Sequence, residues 1–156
     1  MVKTNALRLL ETAGIAMEVV EYEVDEGDLS GVHVAAVIGA DPDTVFKTLV
    51  CRGDKNGINV FVIPVAAELD LKKCAQVSKN KRVEMIAVKE LLGLTGYIRG
   101  GCSPVGMKKK YPTYIDETAI LFDEIYVSAG QRGMQMKLNP EVLASFVGAE
   151  FAALTA

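Results

Sequence analysis

The stretch Val45-Phe-Lys-Thr-Leu-Val-Cys-Arg-Gly-Asp-Lys-Asn-Gly-Ile-Asn-Val-Phe-Val-Ile-Pro64 indicates a β-hairpin at the centre of the chain. Apolar and β-branched residues fill its two halves, and the polar connection Gly53–Gly57 has the glycines typical of a hairpin turn. The second half, 58–63, is apolar on both faces of a strand, which predicts a central position in its sheet. We therefore expect this hairpin to organise the fold.

Segments with helical spacing lie on both sides of the hairpin. They begin at capping side chains such as Ser30, Asp70 and Asn139, and all but the one that Asp70 caps end at or before glycines. The predicted helices span 4–13, 32–38, 70–77, 87–92 and 140–148, and the fourth ends at Gly93. Short strands are predicted at 17–22, near Tyr97, and at 114–115, 125–128 and 134–138. No repeat or linker interrupts the pattern, so the sequence predicts one α+β domain over residues 1–156.

The composition is that of an ordinary globular protein. The 156 residues are 50% hydrophobic and 24% charged, which suits one domain with a full core and argues against disorder. No window approaches the roughly 18 consecutive apolar residues that a membrane span needs. The N-terminal stretch has helical spacing rather than the apolar core of a secretion signal. We expect a cytoplasmic protein with no membrane partner.

The cysteines and the histidine argue against a disulfide framework or a metal centre. Cys51, Cys74 and Cys102 are odd in number and lack CxxC spacing, and His33 is the only histidine. Reduced thiols are the simplest interpretation. The chain also lacks a phosphate-binding glycine motif and a cluster of acidic metal ligands. The sequence therefore predicts no metal and no cofactor.

Charge is distributed unevenly along the chain. In total, 17 Lys and Arg against 20 Asp and Glu give −3, which argues against a protein that coats nucleic acid. Residues 72–110, however, contain ten basic and two acidic side chains, an excess of +8, so the other seven basic and eighteen acidic residues carry −11. A solvated surface explains any single lysine. A sustained basic segment in an acidic chain predicts a localised anionic partner, with phosphates the commonest kind.

Lys47 is the first candidate for chemistry. Alternation along its strand places it on the same face as Val45, Leu49 and Cys51, where a charge is costly unless it reaches a partner. The side chain could enter a pocket and bind a phosphate or a carbonyl, or act as a base if burial lowers its pKa. The alternative is a lysine that extends from an edge strand into solvent.

Two glycine-containing loops are the second candidates. In Gly100-Gly-Cys-Ser-Pro104 the glycines permit close approach of a ligand, and successive N–H groups can hold an anion or a developing oxyanion; an ordinary turn is the alternative. Ser128-Ala-Gly-Gln-Arg-Gly133 is similar, with Arg132 as an anion contact. No histidine lies near Cys102 or Ser103 in the sequence, so a protein nucleophile is poorly supported. An enzyme of this kind would position and polarise its substrate.

Six segments occur in an order that is known from one protein family. They are Phe46-Lys-Thr-Leu49, Pro64-Val-Ala-Ala-Glu-Leu-Asp-Leu-Lys-Lys73, Lys81-Arg-Val-Glu-Met85, Thr95-Gly-Tyr-Ile-Arg-Gly-Gly-Cys-Ser-Pro104, Lys108–Pro112 with Ile115-Asp116, and Ile125-Tyr-Val-Ser-Ala-Gly-Gln-Arg-Gly133. Together they resemble the YbaK/EbsC proteins, freestanding relatives of the editing domain inserted in bacterial prolyl-tRNA synthetase. The most similar branch is the Cys-tRNA(Pro) deacylases. Each segment is short, and their common order makes the resemblance specific.

The resemblance implies a mixed, mostly antiparallel sheet curled into a partial barrel with surrounding helices. It implies hydrolysis of the ester that joins a wrong amino acid to tRNA(Pro), with the mischarged acceptor end as partner, prolyl-tRNA synthetase as a candidate second partner and no cofactor. By the same resemblance, Lys47 is the essential lysine that binds the tRNA 3′ end. The backbone of the GxxxP loop, including Gly101, holds the terminal adenosine and the reacting ester. In the cysteine-editing branch the substrate thiol attacks its own ester.

Resemblance and loop chemistry together assign eight further residues to substrate binding. They are Tyr22, Thr48, Gly100, Cys102, Ser103, Pro104, Gly130 and Arg132. The chain departs from the family pattern at Gln135, where an acid is common, and at Leu29-Ser30, where an aromatic is common. Both departures touch the pocket, so alanine, serine or another small residue is an alternative to cysteine. A non-catalytic module that binds tRNA or a synthetase is the alternative from a different functional class.

Overall fold

The computed structural model describes residues 3–156, which contain five α-helices and eight β-strands. The helices and strands follow each other in an irregular order, as in the predicted α+β class. Met1 and Val2, part of the predicted domain 1–156, lie outside the described residues. The helices are α1 (Asn5–Thr12), α2 (Gly31–Ile38), α3 (Leu71–Val77), α4 (Leu91–Thr95) and α5 (Pro140–Val147). The strands are β1 (Glu18–Glu21), β2 (Phe46–Gly53), β3 (Gly57–Pro64), β4 (Val83–Met85), β5 (Thr113–Asp116), β6 (Ile125–Gln131), β7 (Met134–Leu138) and β8 (Glu150–Ala152).

The strands form two sheets rather than one. The larger sheet has the order β4-β2-β3-β5-β8, and the smaller has the order β1-β7-β6. Four of the six strand pairs are antiparallel, while β5 is parallel to both β3 and β8, so the mixed and mostly antiparallel character is confirmed. The partial barrel is not confirmed, because among the described strands the two sheets are joined only by an isolated parallel bridge from Val45 to Tyr126.

The predicted hairpin is the largest strand pair of the structure. β2 and β3 run antiparallel from Phe46 opposite Pro64 to Gly53 opposite Gly57. β3 is the middle strand of the larger sheet, as its apolar sequence predicts, and its residues 60–63 are fully buried. Complete burial of one such side chain contributes about 1.5–3 kcal/mol to folding. The hairpin therefore supplies the centre of the core.

The two faces of the hairpin pack into different apolar clusters. Val60 and Val62 join the main cluster, which includes side chains of α1, α5 and the smaller sheet. Phe61 and Ile63 point the other way and pack with Cys74 of α3 in a second cluster. This division follows from the alternation of side chains along a strand. It means that neighbouring residues of β2 also face different surroundings.

The helix boundaries follow the capping signals in the sequence. The side chains of Thr4, Ser30, Asp70 and Asn139 accept hydrogen bonds from the first-turn N–H groups of α1, α2, α3 and α5. A polar N-cap of this kind contributes about 1 kcal/mol. α2 and α5 end at glycines in the left-handed conformation, as predicted.

The segment that follows β4 differs from the prediction. Instead of a helix over 87–92 that ends at Gly93, a 3₁₀ turn at Val88–Glu90 leads into α4, which continues through Gly93 and ends at Gly96. Gly96 has a φ of 85°, the left-handed conformation that ends a helix, whereas Gly93 is part of the helix. The helix therefore ends at Gly96, and the prediction that it ends at Gly93 was wrong.

Three strand assignments also differ from the prediction. The strand predicted near Tyr97 is absent, because this segment is irregular and the buried Tyr97 hydroxyl donates to the Val105 carbonyl within the following loop. The short strands β4 and β8 were not predicted. Both have three residues, too few to show a periodic pattern, and each is defined by its pairing with a distant strand.

Alanine substitutions at the two glycines test where α4 ends. Gly93→Ala is expected to stabilise the protein by about 0.5–1 kcal/mol, because glycine is costly inside a helix and an added Cβ meets nothing within 4 Å. Gly96→Ala is expected to destabilise it by about 1–2 kcal/mol, because alanine disfavours the left-handed conformation. Urea unfolding of both variants and the wild type measures the difference. A stabilising Gly96→Ala would contradict a helix end at Gly96.

Candidate functional site

A cavity of about 530 Å³ borders β2. This volume lies within the range of small-molecule binding sites, and as in such sites the lining is mainly apolar with a few polar groups. The lining comes from the loop before α2, from β2, from the segment after β4, from the glycine loop and from the smaller sheet. It comprises Leu29, Ser30, Gly31, Val34, Val45–Val50, Val65, Met85, Ile86, Val88, Leu91, Arg99, Gly100, Cys102, Ser128 and Gln135.

The pairing of β2 explains why this strand borders the cavity. Along one edge it pairs with β3 over its full length. Along the other edge β4 pairs only with Cys51–Gly53, and one further bond joins the Ile86 N–H to the Val50 carbonyl. β6 also lies beside β2 but is bridged to this segment only at Val45. Residues 46–49 therefore belong to no ladder on this side, and the cavity borders them there.

Lys47 lies in the cavity lining, on the face of β2 that the alternation predicts. The side chain is half-buried, and no carboxylate of residues 3–156 lies within 4.0 Å of its ammonium. Loss of hydration lowers the pKa of Lys47, and the negative charge of Glu68 opposes that shift. The ammonium is thus a partly desolvated cation without an ion-pair partner. Such a group binds a phosphate, a carbonyl or an ester oxygen.

The glycine loop reaches the cavity through Gly100 and Cys102 but not through Gly101. The Gly101 N–H donates to the Ile98 carbonyl at 2.9 Å, so the proposed oxyanion donor is already used within the loop. A Cβ at Gly101 would lie 2.9 Å from the Cα of Gln131 and 3.0 Å from the Arg132 nitrogen. Gly101 is therefore required for close packing of the loop on the β6–β7 turn, and the sequence-based role for its N–H lacks geometric support.

Cys102 lines the cavity, and no acceptor for its N–H is found among residues 3–156, so this backbone group is free to donate to a ligand. Burial raises the pKa of the Cys102 thiol to about 12, while a hydrogen bond from Thr95 acts in the opposite direction. At neutral pH the thiol is protonated and is a poor nucleophile.

Four other predicted substrate-binding residues do not line the cavity. Ser103 is fully buried, and its hydroxyl accepts from the Val105 N–H. Pro104 lines a separate, smaller cavity of about 190 Å³. Gly130 packs against the side chains of Tyr97 and Thr4, and the Tyr22 N–H donates to the Gly133 carbonyl. Their positions suit support of the site, and direct contact with substrate stays a prediction.

Arg132 does not point freely at an anion as the sequence suggests. Its Nε donates to the Arg99 carbonyl at 2.8 Å, and its Nη1 lies 3.1 Å from Glu26 Oε2. The guanidinium therefore joins the glycine loop to the acidic loop that precedes α2. Both loops contribute to the cavity lining, so Arg132 holds two of its walls.

Ser128 and Gln135 face each other across β6 and β7 and lie in the cavity lining. The resemblance had placed Gln135 at the pocket, whereas Ser128 was not assigned to the site. Gln135 is 6% exposed, and neither its Oε1 nor the Thr48 Oγ1 has a hydrogen-bond partner in the described chain. Their alternation with core residues on β6 and β7 was a usable signal. Arg99, Met85, Ile86, Val88 and Leu91 gave no such signal in the sequence, because only the tertiary structure brings them close to β2.

His33 lies beside two acidic residues, away from the cavity lining. Its ring nitrogens are 3.9 Å from Asp25 Oδ2 and 3.8 Å from Asp28 Oδ2. Across residues 3–156 no group of three or more His, Cys, Asp or Glu side chains could hold a metal ion. Cys51, Cys74 and Cys102 are free and buried. No helix in the described range is long and apolar enough to cross a membrane.

Comparisons with known proteins identify relatives over most of the chain. The family profile of the aminoacyl-tRNA editing domain matches residues 30–146. EbsC of Enterococcus faecalis, a proposed Cys-tRNA(Pro)/Cys-tRNA(Cys) deacylase, is 49% identical over 153 residues, which cover 98% of this chain and 93% of that protein. The crystal structure of a proposed trans-editing enzyme for prolyl tRNA synthetase is 28% identical, with a TM-score of 0.85 over 100% of this chain and 99% of the other. The hypothetical protein APE2540 shares the fold at 20% identity, with a TM-score of 0.89 over 98% of this chain and 100% of that one.

Titration of Lys47 tests its electrostatic environment. The ammonium is expected to titrate below the ordinary value of 10.5, because burial disfavours the charged form. Glu68→Gln should lower the pKa of Lys47 further, since the carboxylate raises it. Glu23→Gln serves as the matched control, because Glu23 is an exposed carboxylate that does not shift the pKa of Lys47. Carbon-13 NMR of the reductively dimethylated protein measures the titration, with Lys47→Arg to assign the resonance. An unchanged pKa in Glu68→Gln would contradict the described geometry.

Substitution of Gly101 tests the packing of the glycine loop. Gly101→Ala is expected to destabilise the protein by about 1–3 kcal/mol, the usual cost of overpacking, because the added Cβ meets the backbone of the β6–β7 turn. Urea unfolding measures the change, with Gly93→Ala as the control. Wild-type stability in Gly101→Ala would show that the loop does not pack on the turn.

Proposed function

The chain belongs to the aminoacyl-tRNA editing domain family, and from this premise we propose that it hydrolyses the ester bond between a small, wrongly attached amino acid and its tRNA. The observation that carries the proposal is the cation of Lys47, which lies without an ion-pair partner in the same cavity as the unbonded Cys102 N–H. One group can bind an ester or phosphate oxygen, and the other can stabilise a developing oxyanion.

The finer proposal is that the substrate is Cys-tRNA(Pro). It is supported by the Enterococcus relative, which is nearly half identical over almost the whole chain and is itself a proposed Cys-tRNA(Pro)/Cys-tRNA(Cys) deacylase. The structural relative that is a proposed trans-editing enzyme supports prolyl-tRNA synthetase as a second partner. A cytoplasmic location belongs to the same proposal. Ala-tRNA(Pro) is the alternative substrate, because an apolar pocket separates side chains that differ by one methylene by only about 1–3 kcal/mol.

The proposed mechanism relies on orientation and polarisation. An aminoacyl ester is already activated, so holding its carbonyl against fixed donors accounts for much of the required acceleration. Lys47 and the Cys102 N–H are the proposed donors. With a cysteinyl substrate, the substrate sulfur bonds to the ester carbon, the ester C–O bond breaks, and the thiol proton passes to the departing ribose oxygen. Water then opens the resulting cyclic thioester to free cysteine. With an alanyl substrate, water takes the place of the thiol.

The basic segment 72–110 supports an RNA partner. Every basic side chain within 4.0 Å of a carboxylate among residues 3–156 lies outside this segment: Lys3, His33, Arg52, Arg132 and Lys137. The ten basic residues of the segment are therefore uncompensated by close carboxylates, and Arg99 among them lines the cavity. Phosphates of an acceptor stem would supply the missing negative charge.

A panel of misacylated tRNAs tests the proposed function. The wild type is expected to release cysteine or alanine from tRNA(Pro), and Lys47→Ala should lower kcat/KM by roughly 100-fold or more, the cost of removing one transition-state donor. Lys55→Ala is the matched control, because Lys55 is an exposed lysine on the same hairpin that does not line the cavity. Loss of the labelled amino acid from each tRNA gives the rate.

The same panel separates catalysis from binding. Salt-sensitive binding of tRNA without ester loss for any small residue would contradict the proposal and favour the non-catalytic module. Equal rates for Lys47→Ala and Lys55→Ala would contradict the role given to Lys47.

A further inference from the structure

Exposed apolar side chains gather on a part of the surface that does not line the large cavity. Leu121, at 76%, is the most exposed large hydrophobic side chain of residues 3–156, and Ile120 beside it is exposed as well. Both belong to a 3₁₀ turn at Glu117–Leu121. Val142 and Phe146 of α5 are also exposed, and their spacing of four places them on one face of the helix. Single exposed apolar residues are ordinary, but a group on adjoining elements marks an interaction surface.

The 3₁₀ turn and α5 are neighbours in the fold. They are in contact, and the side chain of Asn139, the N-cap of α5, donates to the Asp123 carbonyl just after the turn at 3.1 Å. At the other end of the helix, Phe146 lines the small cavity of about 190 Å³ together with Thr113 at the start of β5. α5 therefore runs antiparallel to the segment that leads from β5 into the turn. We call the exposed side chains on this pair the α5 face: Ile120, Leu121, Val142 and Phe146.

Positive charge lies at the C-terminal end of the α5 face. Lys109 and Lys110 line the small cavity with Phe146. The Lys110 Nζ is 3.4 Å from the place that a Cβ would take on Gly148, the residue that ends α5. Neither lysine has a carboxylate within 4.0 Å among residues 3–156. This end of the face is therefore an uncompensated positive charge.

Negative charge lies at the N-terminal end of the α5 face. Glu141 is in the first turn of α5, Glu117 begins the 3₁₀ turn and Asp123 follows it, and all three are exposed. None has a basic side chain within 4.0 Å in the described range, whereas the neighbouring Glu124 lies 3.9 Å from Lys137. The dipole of α5 favours charges of these signs at its ends. It does not account for the apolar side chains that are exposed between them.

We propose that the α5 face binds the α5 face of a second copy of this chain, related by a two-fold axis that lies in the interface and is perpendicular to α5. Such an axis makes the two α5 helices antiparallel, so the lysine end of each copy meets the carboxylate end of the other. An axis parallel to α5 would instead bring like charges together. The opposite charges at the two ends therefore make the face complementary to itself in one arrangement.

The charge pattern favours a second copy over an RNA partner at this face. RNA phosphates would be repelled by the carboxylate end. Residues 72–110 contain ten basic side chains, so eight besides Lys109 and Lys110 are left for RNA, and Arg99 among them lines the large cavity. Neither α5 nor the 3₁₀ turn contributes to the lining of that cavity. The proposed dimer is thus independent of the proposed deacylase function.

Charge reversal at the two ends tests the pairing. The wild type is expected to dimerise with a Kd in the micromolar range, as suits a small interface. Lys109→Glu combined with Lys110→Glu makes both ends acidic, and Glu117→Lys combined with Glu141→Lys makes both ends basic. Each double variant alone is expected to dimerise roughly 100-fold or more weakly, because like charges meet. An equimolar mixture of the two restores a dimer of wild-type affinity, because opposite charges meet again.

Sedimentation velocity from roughly 1 to 500 μM brackets such a Kd and gives the affinities. Native mass spectrometry, with one variant labelled with nitrogen-15, identifies the mixed dimer by its mass. Lys72→Glu combined with Lys81→Glu is the matched control, because it makes the same charge change at exposed lysines outside the α5 face. A monomeric wild type, reversal variants that dimerise like the control, or a mixture that does not associate would each overturn the inference. No substrate is present, so the outcome does not depend on the proposed function.

Leu121→Ala tests the apolar part of the interface, and its exposed position keeps the fold out of the result. The dimer is expected to be roughly tenfold or more weaker, since each copy loses apolar area that the interface would bury. Leu92→Ala is the matched control, because Leu92 is an exposed leucine of α4 outside the α5 face. The same sedimentation measurement gives both values of Kd. An equal Kd for the two variants would overturn the assignment of the interface to the α5 face.

Discussion

The full-length pairing of β2 with β3 is the constraint on which the site depends. It fixes the alternation of β2, so that Lys47 and Thr48 present opposite faces and opposite edges at adjacent positions. On its other side β2 pairs with β4 only at Cys51–Gly53 and is preceded by a single bridge to β6 at Val45, so no continuous ladder separates this part of the strand from the cavity. A shift of one residue in this register would exchange the two faces and move the lysine away. The hairpin thus supplies central core residues and also positions Lys47 and Thr48 in the cavity lining.

The glycine loop shows how packing can determine residue choice in a functional loop. Gly101 meets the backbone of the β6–β7 turn, and Arg132 of that turn donates back to the carbonyl of Arg99. These contacts fix the position of the loop that presents Gly100 and Cys102 to the cavity. The close packing of Gly101 gives a reason for glycine at this position that does not depend on its N–H. These contacts leave the loop little freedom to shift, so they also fix the positions of Gly100 and Cys102 in the cavity lining.

The elements that could be predicted are those with local signals. The hairpin, the N-caps and the glycine ends of α2 and α5 depend on residues within a few positions of each other. The strands β4 and β8, and the approach of residues 85–91 to β2, depend on pairing across the fold. The position of Lys47 in the cavity lining was predictable, because a charged side chain on the apolar face of a strand is costly unless it reaches a polar partner. The hydrogen bonds of the Gly101 N–H and of the Arg132 side chain were not predictable, because they depend on how the loops pack in the folded chain.

Three unsatisfied groups in the lining distinguish this cavity from an accidental gap in packing. The Lys47 ammonium has lost hydration without gaining an ion pair, and Thr48 Oγ1 and Gln135 Oε1 are buried without hydrogen bonds. Each arrangement costs folding free energy, because buried polar groups are normally paired. None of the three improves the packing of the core, so the folded chain alone does not account for them. A ligand that brings an anionic or carbonyl oxygen to Lys47 and donors to the two oxygens satisfies all three at once.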